Sequence, residues 1–350
     1  MLPQVLNIWF AERNWRPHPH QLAMVAAARA GRHSLLIAPT GGGKTLAGFL
    51  PSLADIHAHG HDGLHTLYIS PLKALAVDIH RNLETPIAEM GLDITLETRT
   101  GDTPANRRQR QRSNPPNLLL TTPESLALLI SYEDAGEIFR NLKCIVVDEA
   151  HALIGTKRGD QLALCMARLN RLAPAARRVG LSATVAWEEE LKAWLSPNAR
   201  AGSVHLVKGR DGAKARVSIL ETGCELPWSG HYGLHALPEI YAQIRDTQTS
   251  LLFVNTRAQA ELVFQELWRI NDDNLPIALH HGSLAREQRR KVEAAMAEGR
   301  LRAVVATSSL DLGIDWAAVD LTALVSPRAH TVHLQLWPEG GPVELGEGPE

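Results

Sequence analysis

The run Ala38-Pro39-Thr40-Gly41-Gly42-Gly43-Lys44-Thr45 constrains this chain more than any other stretch. It follows an apolar, strand-like segment, residues 34–38, and opens a helix-like one. Gly41, Gly42 and Gly43 carry no Cβ, so their backbone can wrap closely around a polyphosphate. The helix N-terminus behind them points N–H groups and a partial positive charge at the same place. Lys44 supplies a point charge for β- and γ-phosphates, and the Thr45 hydroxyl suits Mg²⁺. Thr40 through Thr45 are therefore the expected nucleotide contacts.

The same strand–helix alternation runs along the chain. Strands are expected at residues 34–38, 65–70, 94–98, 118–121, 143–147 and 179–182, with helices at 72–90, 160–172 and 187–195. Such alternation implies an α/β fold with a parallel sheet covered on both faces. Residues 202–233 are rich in glycine and turn formers, include Pro227, and read as a linker with an entry segment. A second series follows, with strands at 250–254, 276–279, 302–306 and 320–325 and helices at 257–270 and 285–298. Beyond Arg328 come Glu339, Glu344, Glu347 and Glu350 among prolines and glycines, which reads as a disordered acidic tail.

A length of 350 residues suits two domains at roughly 150 residues each. Apolar residues make up 45%, enough for each to bury a core. With 36 basic and 38 acidic side chains the net charge is −2. That excludes a globally basic nucleic-acid binder but not a local basic groove. Cys144, Cys165 and Cys224 are too few and too scattered for a disulfide frame or a zinc site, which suits reduced thiols in a cytoplasmic protein. No apolar run approaches the ~20 residues of a membrane span, and the first residues lack the basic start of a signal peptide. No membrane partner is expected.

Asp148-Glu149-Ala150-His151 follows the apolar strand 143–147. A phosphate-loop enzyme needs a carboxylate at a strand end to hold Mg²⁺, and Asp148 stands there. Glu149 beside it can orient and deprotonate an attacking water. With Ser182-Ala183-Thr184 at a strand end, this constellation resembles the superfamily 2 helicases of the DEAH-box type. The resemblance extends along most of the chain. Gln21 resembles the adenine-reading glutamine upstream of the P-loop, a surface helix glutamine being the alternative. Segments 70–75, 98–103 and 121–125 resemble loops that hold a single strand by its phosphates, which implicates Lys73, Arg99, Thr100, Gly101, Thr122 and Pro123. Arg107, Arg108, Arg110 and Arg112 add either a basic patch there or a solvated charged helix. Segments 253–257 and 306–315 resemble later motifs of the family. They implicate Arg257 and Thr307 in nucleic-acid contact and Gly313 and Asp315 in the nucleotide cleft. Thr307 and Asp315 as ordinary strand-end and cap residues are the alternative. Thr156-Lys157-Arg158-Gly159 and the wording of 306–315 most resemble the long-helicase-related (Lhr) branch, in particular bacterial helicases associated with a DNA ligase in the damage response.

The resemblance implies two tandem RecA-like, doubly wound parallel-sheet domains, the second incomplete. Residues 1–205 would bind ATP, 206–235 would link, 236–326 would form the partial second domain and 327–350 a divergent tail. Lys44, Asp148, Glu149 and His151 would be catalytic, Ser182 and Thr184 coupling residues, Thr45 and Asp148 metal ligands, and ATP and Mg the cofactors. The implied partner is single-stranded or partly duplex DNA, with RNA as the alternative. A repair ligase and nuclease are further implied partners of a monomer.

The family's Gln-x-x-Gly-Arg-x-x-Arg helix, whose arginines reach the γ-phosphate, has no counterpart after Leu321, where the one remaining arginine is Arg328. Two functions are thus expected: an ATP-dependent DNA helicase, or a truncated fragment that binds ATP and nucleic acid with little turnover. An unrelated P-loop ATPase is a weaker alternative. His57, His59, His61 and His65 offer a candidate metal site, although Gly60 and Gly63 suggest a plain loop. His280 and His281 read as a strand–loop junction.

Overall fold

A computed structural model of the chain describes residues 2–39, 41–183, 187–210, 216–220, 233–307, 319–325 and 332–336. The chain divides into two compact units, Met1–Arg210 and Asp211–Glu350. Unit 1 begins with α1 (Gln4–Glu12), α2 (Pro19–Arg29), β1 (His33–Ile37), α3 (Lys44–His59), β2 (Thr66–Ile69), α4 (Lys73–Glu89), β3 (Leu96–Arg99) and α5 (Ala105–Ser113). It continues with β4 (Leu118–Thr121), α6 (Pro123–Ser131), α7 (Ala135–Phe139), β5 (Cys144–Val147), α8 (Lys157–Leu172), β6 (Arg177–Ser182), α9 (Glu188–Leu195) and β7 (Val204–Lys208).

The seven strands lie in the order β3-β4-β2-β5-β6-β1-β7, every neighbouring pair parallel. A parallel sheet needs helices on both faces, so its central strands read as continuous apolar runs. Along β5, Cys144 and Val146 join a core with Leu36, Phe49, Tyr68 and Leu181. Ile145 and Val147 join another with Leu35, Leu67, Leu162 and Met166. Successive side chains of one strand thus feed the cores on opposite faces of the sheet. The parallel arrangement also brings the C-terminal ends of β1, β2, β5 and β6 to one edge of the sheet, where the phosphate loop and the acidic box begin.

Unit 2 holds β8 (Arg216–Leu220), α10 (Leu237–Asp246), β9 (Ser250–Val254), α11 (Arg257–Arg269), β10 (Ile277–His280), α12 (Arg286–Ala297), β11 (Ala303–Ala306), β12 (Leu321–Val325) and β13 (Val332–Leu336). Its sheet runs β10-β11-β9-β12-β13-β8. The first four strands are parallel, and β13 is antiparallel to both β12 and β8. None of the described helices is long and apolar enough to cross a membrane.

Two expectations need correction. The segment taken as a linker contains β7, paired with β1, and β8, the edge of the second sheet. The tail taken as disordered contains β13, which lies between β12 and β8. Its Val332, Leu334 and Leu336 alternate with His333 and Gln335, a period-two pattern hidden by the glycine, proline and glutamate that follow. Cys224, Arg328 and the tail from residue 337 lie outside the described residues.

The histidine-rich stretch is a polar seam at the far end of α3. His65 is 1% exposed. Its Nε2 lies 2.9 Å from Asp55 Oδ2 and its Nδ1 2.8 Å from Thr66 Oγ1, which in turn donates to Ser52 Oγ. Burial pushes the His65 imidazole down to about 4, against the pull of Asp55. The folded state therefore holds it neutral while the unfolded chain takes up a proton near pH 6.5. We expect the stability of unit 1 to fall as pH drops from 6.5 to 4, by about 3 kcal/mol. Urea unfolding of the wild type and of His65→Gln across that range checks this. A pH slope that persists unchanged in the variant rejects the assignment.

Candidate nucleotide and nucleic-acid site

Between β1 and α3 the backbone takes a path that L side chains resist. Gly41 and Gly43 sit in the left-handed region at φ +73° and +72°. A Cβ on Gly43 would stand 2.7 Å from Gln21 Nε2. Gly42 N donates to Pro39 O at 3.0 Å, and Gly43 caps α3, whose first residue is the buried Lys44 followed by Thr45. Thr40 lies outside the described residues.

The start of α2 buttresses this loop. Gln21 Oε1 accepts from His18 N (2.9 Å), and Gln21 Nε2 donates to Gly43 O (3.3 Å). Gln21 is only 2% exposed, so both ends of its amide serve the loop and the helix cap. His20 Nε2 lies 2.8 Å from Gly42 O, and since a carbonyl only accepts, that nitrogen carries the hydrogen. Sequence reasoning passed over His20. Its one signal was the His-Pro-His-Gln run around it.

Asp148 leaves the end of β5 almost fully buried. The hydroxyl of Tyr68 donates to its Oδ2, and Glu149 N donates to its Oδ1 at 2.9 Å. Burial pushes the Asp148 carboxyl up, opposed by Tyr68, the Glu149 amide and the Lys44 charge. A desolvated carboxylate beside a phosphate cradle fits a divalent cation. Tyr68, the aromatic residue of β2, was the other partner that motif reading missed. No group of three or more His, Cys, Asp or Glu side chains among the described residues could hold a metal ion.

Glu149 turns the chain at φ +45° into one 3₁₀ turn, Ala150–Ala152. That turn carries His151, whose Nδ1 lies 2.8 Å from Ser182 Oγ and 3.5 Å from Glu149 Oε2. Ser182 O accepts from Ala38 N at 3.1 Å. Ser182 thus touches both the root of the phosphate loop and the acidic box. Thr184 lies outside the described residues.

Of the outer loops, Lys73 opens α4 with its Nζ 3.0 Å from Asp102 Oδ1, both side chains more than half exposed. Thr100 N donates to Thr103 Oγ1, and Arg108 Nη2 donates to Gly101 O at 2.6 Å. Thr122 caps α6, with Pro123 as its first residue, and both are buried. Arg99 is a correction. It is 2% exposed, and its Nη1 donates to Arg108 O and Gln111 Oε1, so it braces α5 from inside. The basic run is largely ion-paired. Arg107 and Arg110 meet Glu97, and Arg112 meets Asp134.

In unit 2, Arg257 Nη1 donates to Ser283 Oγ. Thr307 directly follows β11, its N donating to His280 O at 3.2 Å. His280 and His281 each reach a helix carboxylate, Glu293 on α12 and Glu261 on α11. That matches a structural junction between strand and loop. Gly313 and Asp315 lie outside the described residues.

The loop geometry yields a direct test. Gly43→Ala puts a side chain into a left-handed position already filled by Gln21, and we expect it to weaken binding of a fluorescent ATP analogue by about tenfold or more. Gly31→Ala is the control, since Gly31 has φ +67° with open space around it. Equal affinities in the two variants would show that the cradle does not bind nucleotide.

Comparison with known proteins agrees with this geometry. The DEAD/DEAH box helicase family matches residues 18–192, and the helicase conserved C-terminal domain matches residues 233–335, into β13. The chain is 38% identical to the Lhr helicase/probable uracil glycosylase of Mycolicibacterium smegmatis, over 91% of this chain and 24% of that protein. It is 34% identical to the Lhr helicase/uracil glycosylase of Escherichia coli, over 93% of this chain and 26% of that protein. The chain therefore spans about a quarter of the length of these relatives. Among solved structures, Mycobacterium smegmatis helicase Lhr bound to ssDNA and AMP-PNP superposes with a TM-score of 0.76 at 38% identity, covering 92% of this chain and 44% of that one. The helicase MrfA bound to DNA gives 0.77 at 25% identity, covering 93% and 47%. Phosphate loop, acidic box and Ser182 all fall inside the first family match, and the chain belongs to the DEAD/DEAH box helicase family, with Lhr helicases among its relatives.

Proposed function

We propose that this chain is the motor portion of an Lhr-type ATP-dependent DNA helicase or translocase. The observation that carries the reading is Ser182, which joins the phosphate loop to the acidic box through Ala38 N and His151 Nδ1. Lys44 would meet the β- and γ-phosphates. Thr45 and Asp148 would hold Mg²⁺, which when bound neutralises phosphate charge. Glu149 would take a proton from the attacking water, and His151 would relay changes there to Ser182. Lys73, Thr100, Gly101, Thr122 and Pro123 would grip a single strand by its backbone, as would Arg257 and Thr307 in unit 2. Two relatives carry uracil glycosylase in their names, which supports a role in DNA repair.

A second reading, binding with weak turnover, rests on the sequence after Leu321, which departs from the arginine-containing helix of the family. Hydrolysis under single-turnover conditions, with and without single-stranded DNA, separates the two. Strong stimulation by DNA supports the motor, and a flat, slow rate supports the second reading.

Glu149→Gln should leave ATP binding intact and lower turnover roughly 10²- to 10⁴-fold, whereas Lys44→Ala should weaken binding itself. Lys73→Ala should weaken single-strand binding for all base compositions and reduce the salt slope by about one. Fluorescence anisotropy of labelled oligonucleotides across a salt series measures this. Affinity that ignores salt would overturn the backbone-gripping role.

A further inference from the structure

We propose that Arg158 is a positioning residue that ties the acidic box to two of the nucleic-acid loops of unit 1. The proposal rests on the strand-gripping role of Lys73, Thr122 and Pro123 given above, and extends it to a residue that acts through the loops carrying them.

The tie begins with a rigid turn. After Glu149 the backbone closes on itself: Ala152 N donates to Glu149 O, Leu153 N and Ile154 N to Ala150 O, and Thr156 N to Leu153 O. Ala150 and Leu153 are fully buried in the core that also holds Leu126 and Leu162. Thr156 caps α8, its hydroxyl donating to Leu153 O (2.7 Å) and accepting from Gly159 N (3.0 Å). A Cβ on Gly159 would fall 1.8 Å from Leu153 O. Only glycine lets the turn after the acidic box lie directly on the first turn of α8. Arg158 is therefore held in place with respect to Asp148 and Glu149.

From there one guanidinium reaches two loops. Its Nε donates to Glu124 Oε1 at 2.6 Å, and its Nη2 donates to Pro71 O at 2.7 Å. Pro71 stands two residues before Lys73, and Glu124 directly follows Thr122 and Pro123. The planar fork of arginine offers N–H directions at a fixed angle and spacing, whereas a lysine ammonium places its three donors on one freely rotating nitrogen at the end of a flexible stem and sets no such spacing. Both charged groups are about half exposed, so the pair adds little to stability. Its value lies in fixing the distance between two loops and in making that distance depend on the acidic box. A change at Asp148 or Glu149 on nucleotide binding would then move both loops together, and strand binding would act back on the box by the same free energy.

The test uses the full chain, labelled oligo(dT) and AMP-PNP. Strand affinity is measured with and without AMP-PNP by anisotropy, for wild type, Arg158→Ala, Arg158→Lys, Glu124→Gln and Lys73→Ala, alongside ATP hydrolysis without DNA and thermal melting. We expect Arg158→Ala and Arg158→Lys to melt and to hydrolyse ATP without DNA as the wild type does. The ratio of the two strand affinities should move toward one, by roughly 2- to 30-fold. Glu124→Gln should reproduce part of that change, and Arg158→Ala combined with Glu124→Gln should add nothing further. If both Arg158 variants keep the wild-type ratio while Lys73→Ala weakens strand binding, the proposal is wrong and the strand-gripping reading stands. If the wild type does not bind oligo(dT) at all, the strand-gripping reading falls and the proposal falls with it.

Discussion

Ser182 can join the phosphate loop to the acidic box because β6 lies between β5 and β1. Those three strands are far apart in sequence, and only the parallel sheet brings their C-terminal ends side by side. The backbone of Ser182 holds Ala38, the hydroxyl meets His151, and β6 itself is locked by Arg178, whose guanidinium donates to Leu195 O and Met166 O. Burial drives the pKa of the Arg178 guanidinium down to about 10. A strand that anchors two helix carbonyls with a buried cation is poorly placed to slide. Movement around Ser182 is therefore movement of the loops it touches, while the strand stays fixed.

Several locally costly features of unit 1 meet at the same edge. Glu149 turns through a left-handed conformation, and Asp148 and Lys44 lie buried near each other. None of these favours folding. They persist because the surrounding strands are apolar on both faces and over-determine the backbone. Local rules broken together, at strand ends, mark chemistry more clearly than any one motif residue does.

The central strands were legible in the sequence because a doubly covered strand has no polar face to blur it. β1, β4, β5 and β9 lie within a residue or so of where their apolar runs put them. β7, β8 and β13 were not, although the edge strands β3 and β10 were. β7 and β8 are half solvated and flanked by glycine, and β13 sits before an acidic, proline-containing stretch that dominated the reading of the whole tail. At the site, motif position gave identity but not direction. Lys73 and Arg99 belong to equally good motif matches, yet one side chain leaves the protein and the other enters it. Direction depends on α5 packing along β3, a tertiary fact with no period or composition of its own. His20 and Tyr68 escaped for the opposite reason: each acts on a motif from outside it.

Net charge proved uninformative for a related physical reason. Most cations on the outer loops of unit 1 meet a carboxylate, Lys73 that of Asp102, Arg158 that of Glu124, Arg112 that of Asp134, and Arg107 and Arg110 together that of Glu97. An even balance of charges over the whole chain is what such pairing produces. Exposed pairs of this kind are worth only about 0–1 kcal/mol, so a phosphate arriving at Lys73 meets a carboxylate that it can displace at little cost. The pairs that differ are those with a second bond from the same guanidinium. Arg158 also holds Pro71 O, and a phosphate that took Glu124's place would still leave Arg158 fastened to the loop before Lys73. Two kinds of cation therefore share this face, one exchangeable and one fixed, and the whole-chain charge cannot distinguish them.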